Sequence, residues 1–249
     1  MKILHTLALT CLTTCALADT TLTYKNNADN VSMKMQFADD MMRATTMGDD
    51  TGNMIYNAKN KTFTILIPQE KQYYVMDEKT IESLTDISAM VEKMMEKQLA
   101  QVPEEQREMM RNMIAGAMKS QIPKQLPMPE YTLTRKTDSF NGFDCQIVLK
   151  KSGKNKSEFC VADYSELGMS SSEYNVIATF QKTIEKLAKQ FGTDQSMNFM
   201  ELGTFIPVNY QQDKQSGTLT DVSHEEIDSS VFAIPVDYKE IELPFADLQ

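Results

Sequence analysis

Methionine is the side chain whose number and spacing in this sequence could do chemistry. The chain has 19 methionines and no tryptophan, and fourteen of the methionines fall in two stretches, 33–54 and 90–128. A thioether is a soft ligand that suits Cu(I), and it also provides flexible apolar surface. It supplies neither a proton-transfer group nor an activated nucleophile. The two stretches therefore indicate an ordinary core, a cavity for an apolar ligand, or a copper site.

The positions of the methionines within the predicted strands and helices help to compare these three alternatives. The methionines near the start alternate along a predicted strand, and several later ones lie on the apolar stripe of predicted helices. Core residues would occupy those positions, and so would residues that line a pocket. A Cu(I) site would most plainly use Met109, Met110 and Met113. The predicted pocket lining is Met33, Met35, Met94, Met110, Met113, Met118, Phe180 and Ile184.

Catalytic signatures are scarce. The chain has two histidines, and only His224 lies beyond the first eighteen residues. The sequence has no Gly-x-Ser-x-Gly pattern around a serine nucleophile. The zinc-binding pattern His-Glu-x-x-His is incomplete, because Asp228 occupies the position of its second histidine. A hydrolase that uses carboxylates alone stays open as an alternative. We expect a protein that is not an enzyme, with no cofactor and no zinc or iron site.

The first eighteen residues resemble a secretory signal. A positive start at Lys2 precedes an apolar run, and Ala16-Leu17-Ala18 matches the small-x-small cleavage pattern. Cleavage after Ala18 would place the protein in the periplasm or outside the cell. The alternative is a lipoprotein anchored at Cys15. No later segment is long and apolar enough to span a bilayer as a helix.

The charge balance argues against several classes of partner. The formal net charge is −10, and loss of Lys2 with the signal would make it −11. Such a chain is repelled by the phosphates of nucleic acids and of anionic membrane surfaces. We therefore expect no nucleic-acid partner. The Met-rich apolar stretches lead us to expect an apolar small molecule or lipid as partner, with another envelope protein as the alternative.

The two cysteines beyond residue 18, Cys145 and Cys160, flank a predicted turn at 151–155. A hairpin centred on Ser152-Gly153 would place them opposite each other with both side chains on one face. In an oxidising compartment this predicts a structural disulfide.

Strand patterns and helix patterns alternate along the chain, and together they predict one α+β domain over 19–249. Apolar residues alternate with polar ones in short stretches separated by turns, as in an antiparallel meander. A period of three to four residues predicts a helical-hairpin insertion at 79–122, and a capping box at Ser170-x-x-Glu173 opens a helix at 172–191. The predicted strands are 31–37, 41–47, 53–58, 62–67, 72–76, 131–136, 143–149, 157–162, 204–211, 217–225 and 231–243.

Several segments, in this order, resemble a bacterial secreted family of unknown function (DUF4412-like), whose members carry a domain similar to periplasmic lipoprotein carriers of the LolA type. The segments are 53–59, 64–68, 71–76, 103–110, 141–145, 159–163 and 232–238. The resemblance implies a curved antiparallel sheet, an incomplete barrel, whose concave face is covered by helices. In the lipoprotein carriers that cavity holds acyl chains. Together with the Met-rich apolar faces, it leads us to expect a periplasmic binder of a lipid or lipidated peptide, with the Cu(I) protein and an envelope-interaction protein as alternatives.

Overall fold

The computed structural model describes residues 19–26, 31–47, 52–85, 96, 99, 103–104, 106–111, 129–191, 201–212 and 215–243. The predicted signal peptide, 1–18, and most of the predicted helical hairpin, 79–122, lie outside these residues.

Twelve strands form one sheet. The first six are β1 (Thr20–Asn26), β2 (Ser32–Ala38), β3 (Met41–Met47), β4 (Asn53–Asn57), β5 (Thr62–Ile67) and β6 (Gln72–Met76). The others are β7 (Glu130–Phe140), β8 (Phe143–Ser152), β9 (Asn155–Asp163), β10 (Phe205–Gln212), β11 (Gln215–Ser223) and β12 (Lys239–Glu240).

The strand order is β12-β6-β5-β4-β3-β2-β1-β11-β10-β9-β8-β7. Two meanders therefore meet where β1 pairs with β11, and every neighbouring pair is antiparallel except β12 with β6. The sheet is curved and unclosed, with β12 at one edge and β7 at the other. The predicted α+β class and the predicted curved, mostly antiparallel sheet are confirmed.

Strand β1 was not among the predicted strands, although it joins the two meanders. Its Thr20, Leu22 and Tyr24 are buried, and they alternate with half-buried Thr21 and Thr23. The burial has period two, but threonine at three of these five positions hides the contrast between apolar and polar residues on which the prediction relies.

Tight turns fix the register of the hairpins. Asn141 and Gly142 form the two-residue turn between β7 and β8, and both have positive φ, at 52° and 86°. Asparagine followed by glycine is the preferred pair for such a turn, because both residues tolerate the left-handed region. The Asn141 side-chain amide also donates to the carbonyl of Leu219 at 2.8 Å, which ties this turn to β11.

Two α-helices have their bounds within the described residues, α1 (Glu78–Thr85) and α2 (Ser171–Phe191). The predicted capping box opens α2. The Ser170 hydroxyl accepts from the Glu173 amide at 3.3 Å, and the Glu173 carboxylate accepts from the Ser170 amide at 2.7 Å. Both amides would otherwise lack an intrahelical partner.

Replacing Ser170 with alanine is therefore expected to lower the free energy of unfolding by about 1 kcal/mol, because the helix loses its cap. Urea denaturation measures the change. Ser171→Ala is the matched control, since Ser171 is exposed and is the first residue of the helix itself. Equal destabilisation by the two variants would show that the cap contributes nothing specific.

The C-terminal segment, 224–241, differs from its prediction. A long strand was predicted at 231–243, but the structure has a 3₁₀ turn at Ser229–Phe232 and only the two-residue strand β12. Pro235 accounts for much of this, because it has no amide to donate to a ladder and its carbonyl accepts from Tyr238 in a turn. The segment is hydrogen-bonded to Asp19 just before β1, to Arg43 in β3 and to β6.

Candidate functional site

One face of strands β2–β5 carries a fully buried apolar row. Its members lie opposite one another across adjacent strands, and their exposures are between 0 and 2%. We call it the closed row: Phe37, Met42, Tyr56 and Phe63.

A second row runs beside the closed row, two residues along each strand and on the same face. Successive pairings join it across β2–β6, and each member is half-buried rather than buried. We call it the open row: Met35, Ala44, Met54, Ile65 and Tyr74. Because side chains two apart on a strand point the same way, the apolar surface continues from one row into the other.

Helix α2 packs on the closed row through an aromatic cluster. The Phe180 ring centroid lies 5.5 Å from that of Tyr56, nearly edge-on, and 5.7 Å from that of Phe63. Edge-to-face and tilted pairs at such separations are favourable because ring edges are positive and ring faces negative. Ile184, one turn further along, also packs against the main core cluster. These contacts hold α2 against the sheet.

Four of the predicted pocket residues border the same hydrophobic core. Met33 and Met35 of β2, with Phe180 and Ile184 of α2, all pack against the same core cluster as partly buried side chains. Met110 is helical but 36% exposed, and it is not part of the described cluster. Met94, Met113 and Met118 lie outside the described residues.

The predicted disulfide between Cys145 and Cys160 is confirmed, with 5.3 Å between the Cα atoms. The predicted register is wrong by two residues, because the turn centres on Gly153-Lys154, one residue later than predicted, and places Cys160 opposite Ile147. The bond therefore runs diagonally between β8 and β9. Cys145 and Ile147 share a face, so the cysteines still meet.

Two clefts with several charged residues in their lining lie away from the rows. One, of about 680 Å³, is lined by residues of β7–β9 and the 3₁₀ turn Tyr164–Leu167, including Asp138, Asp144, Asp163 and Glu166. Hydrogen bonds from Ser165 and Thr204 lower the pKa of Asp163, so that carboxyl stays charged near neutrality. The other, of about 530 Å³, lies between β1, β2 and β11 and the C-terminal segment. Their charge does not suit an apolar ligand.

The histidine considered for catalysis lies apart from the rows. His224 is exposed, just after β11, with its Nδ1 atom 3.4 Å from the Thr20 hydroxyl. A Cβ added to Gly168 would come within 2.5 Å of its Nε2 atom, so the imidazole packs on a bare glycine. Among the described residues, no three histidine, cysteine, aspartate or glutamate side chains are placed to hold a metal ion.

Sequence comparison adds the family. Residues 82–238 match the family model described as "Domain of unknown function (DUF4412)". The chain belongs to this family. The region of this DUF4412 protein that matches begins within α1 and ends in the C-terminal segment, so it contains β7–β11 and α2. Strands β1–β6, which carry both rows, precede it.

Two solved structures of PNGF-II are similar to this DUF4412 chain at a distance. They are in space groups C2 and P21, with 11% and 10% identity and a TM-score of 0.43 in each case. The alignments cover 93% and 91% of this chain but 32% of each PNGF-II chain, so the chain spans about a third of their length. Comparison with curated proteins finds no match. Among the described residues, no helix has the length and apolarity to cross a membrane.

The solvent exposure of the methionine sulfurs predicts which methionines of this DUF4412 chain are oxidised first. Met109 is 71% exposed and Met42 is 0% exposed. Dilute hydrogen peroxide should convert Met109 to the sulfoxide about tenfold faster than Met42, because attack requires access to the sulfur. Peptide mapping by mass spectrometry measures both rates, and the guanidinium-unfolded chain is the control in which they should converge. Equal rates in the folded protein would contradict the burial of the closed row.

Proposed function

We propose that this chain is a periplasmic, non-enzymatic protein that binds an apolar ligand, a lipid or lipidated peptide, between the face of β2–β6 and helices that cover it. The observation that carries the proposal is the open row. It is apolar, half-buried and continuous with a fully buried row on the same face. An acyl chain laid along it would bury the remaining apolar surface, which is the main source of affinity for such ligands.

The composition of the face supports binding rather than catalysis. The two rows contain apolar side chains and two tyrosines, and neither row has a carboxylate, an amine or an imidazole. Methionine at Met35 and Met54 suits a ligand of variable shape, because its unbranched thioether adapts to irregular surfaces. A relationship to the lipoprotein carriers, which we propose from the resemblance of the sequence segments, favours the same class of ligand.

The helices supply the moving part of the proposed carrier. α2 contacts the sheet mainly through side chains such as Phe180 and Ile184, and it also contacts α1. A shift of α2 and of the predicted helical hairpin away from the sheet would uncover more of the apolar face and admit the cargo. The return of α2 to its aromatic contacts would close the site.

A charge placed in the open row tests the proposal. Met54→Glu should weaken binding of a fluorescent fatty-acid analogue at least about tenfold, because a carboxylate would be desolvated against the bound chain. Met47→Glu is the matched control. Met47 has the same side chain, is 47% exposed, and lies on β3 with the parity of the other face.

The outcomes of this titration are distinct. Strong binding by the native protein and Met47→Glu, with weak binding by Met54→Glu, supports the proposed site. No binding by the native protein counts against the function. Equal binding by all three proteins counts against the face of β2–β6 as its location. Circular dichroism of each variant checks that the sheet is retained.

A further inference from the structure

The hydroxyl of Tyr56 is a polar group inside the apolar face. The residue is 0% exposed, and its oxygen has no hydrogen-bond partner among the described residues. Buried hydroxyls in native proteins are almost always paired, so an unpaired one calls for an explanation. Tyr24 on the same face shows the usual arrangement, since its hydroxyl donates to the carbonyl of Pro207 at 2.8 Å.

The surroundings of the Tyr56 hydroxyl place it where α2 meets the sheet. Burial raises the pKa of Tyr56, and the side chains of Thr183 in α2 and of Lys61 oppose that effect. The Thr183 hydroxyl donates to the carbonyl of Thr179 at 2.9 Å, and its oxygen could still accept. The Tyr56 hydroxyl, however, is not in hydrogen-bond geometry with Thr183 or with any other described residue. The Tyr56 proton is therefore available to an acceptor that enters between α2 and the sheet.

Tyr56 also lies close enough to the open row to contact the polar end of a ligand bound there. It follows Met54 by two residues on β4 and points to the same face, so the two side chains lie roughly 7 Å apart along the strand. A chain lying on the open row would bring the atoms at its polar end to Tyr56 once the Phe180 ring moves aside. Phe180 covers the Tyr56 ring edge-on, and it is itself only partly buried.

We propose that the Tyr56 hydroxyl donates a hydrogen bond to the carbonyl oxygen of an acyl group, so that the site selects acylated amphiphiles over apolar chains that lack a carbonyl. This inference rests on the proposed binding function and adds the recognition of the acyl carbonyl to it. A donor that is buried and unpaired before binding gives selectivity, because the correct ligand supplies its missing partner.

A matched pair of lipids tests the inference. The probes are a short-chain diacyl phosphatidylcholine and its dialkyl ether analogue, which differ in the two carbonyl oxygens. The native protein should bind the diacyl lipid about fivefold more tightly, the size expected of one neutral hydrogen bond. Tyr56→Phe should reduce this preference to less than about twofold by weakening diacyl binding alone.

Tyr24→Phe is the control, because the Tyr24 hydroxyl already has its partner in Pro207. It should keep the lipid preference and lower the thermal midpoint. Tyr56→Phe should leave the midpoint of the ligand-free protein unchanged or higher, because it removes an unpaired group. A lowered midpoint for Tyr56→Phe would overturn the inference, since the hydroxyl would then have a partner within the protein.

The failures can be told apart. Equal binding of both lipids by the native protein overturns the role of Tyr56 and leaves the proposed function standing. Binding of neither lipid by the native protein overturns the proposed function and this inference with it. A diacyl preference that persists in Tyr56→Phe assigns the selectivity to another group and also overturns the inference.

Discussion

Replacing Cys145 and Cys160 together with alanine is expected to lower the free energy of unfolding by about 3 kcal/mol, the value of the chain-entropy model for a loop of about 15 residues. The two cysteines are 15 residues apart, and both are buried at 5% and 2% exposure. The bond joins β8 to β9 on the face that packs into the main core cluster. Loss of the bond therefore raises the conformational entropy of the unfolded chain. The substitution also removes two sulfur atoms from the core.

Guanidinium denaturation of a chain produced from Asp19 onward measures this effect. The native protein with its disulfide reduced is the second arm, and it should lose stability by a similar amount. Titration of free thiols in the oxidised protein should find none, because Cys145 and Cys160 are bonded. Two free thiols, or a reduced protein as stable as the oxidised one, would contradict the structural role of this bond.

The second large expected effect is a difference in unfolding free energy between substitutions in the closed row and in the open row. Met42→Ala should cost about 3 kcal/mol, because it leaves a cavity among fully buried neighbours. Met54→Ala, on the next strand, should cost only about 1 kcal/mol, since that side chain is half-buried and the face can rearrange around it. Met42 is 0% exposed, whereas Met54 is of intermediate exposure.

The comparison is well matched because the substitution is the same and the residues lie on adjacent strands of one face. Urea denaturation of both variants measures the two losses under one set of conditions. Equal losses would mean that the open row is packed as tightly as the closed row. The open row would then have no apolar surface left for a ligand.

Most of the sheet could be predicted from the sequence, because alternation and turn chemistry are local. β2–β6 match their predicted ranges closely. The Ser170–Glu173 cap was also predictable, since both residues lie within one turn of the helix start. β1 was missed because its threonines hide the alternation of apolar and polar residues that predicts a strand. The strand predicted at 231–243 does not form, because the segment contains Pro235 and a 3₁₀ turn before it.

The candidate site was only partly predictable, for a different physical reason. The parity of Met33 and Met35 along β2 could be obtained from alternation. The division into closed and open rows depends on where α2 lies over the sheet, which no local pattern specifies. Tyr56 was missed altogether, because the absence of a partner for its hydroxyl is a property of the packed structure. The two-residue register error at the cysteine hairpin likewise came from a one-residue shift in the centre of its turn.

Native mass spectrometry tests the central claim most directly. The protein is recovered from a periplasm under mild conditions, and its mass is recorded before and after incubation with a diacyl lipid, beside Met54→Glu and Met47→Glu. Our account predicts a lipid-sized adduct on the native protein and on Met47→Glu that is lost in Met54→Glu. A clean ligand-free mass for the native protein, with no uptake after incubation, would contradict it.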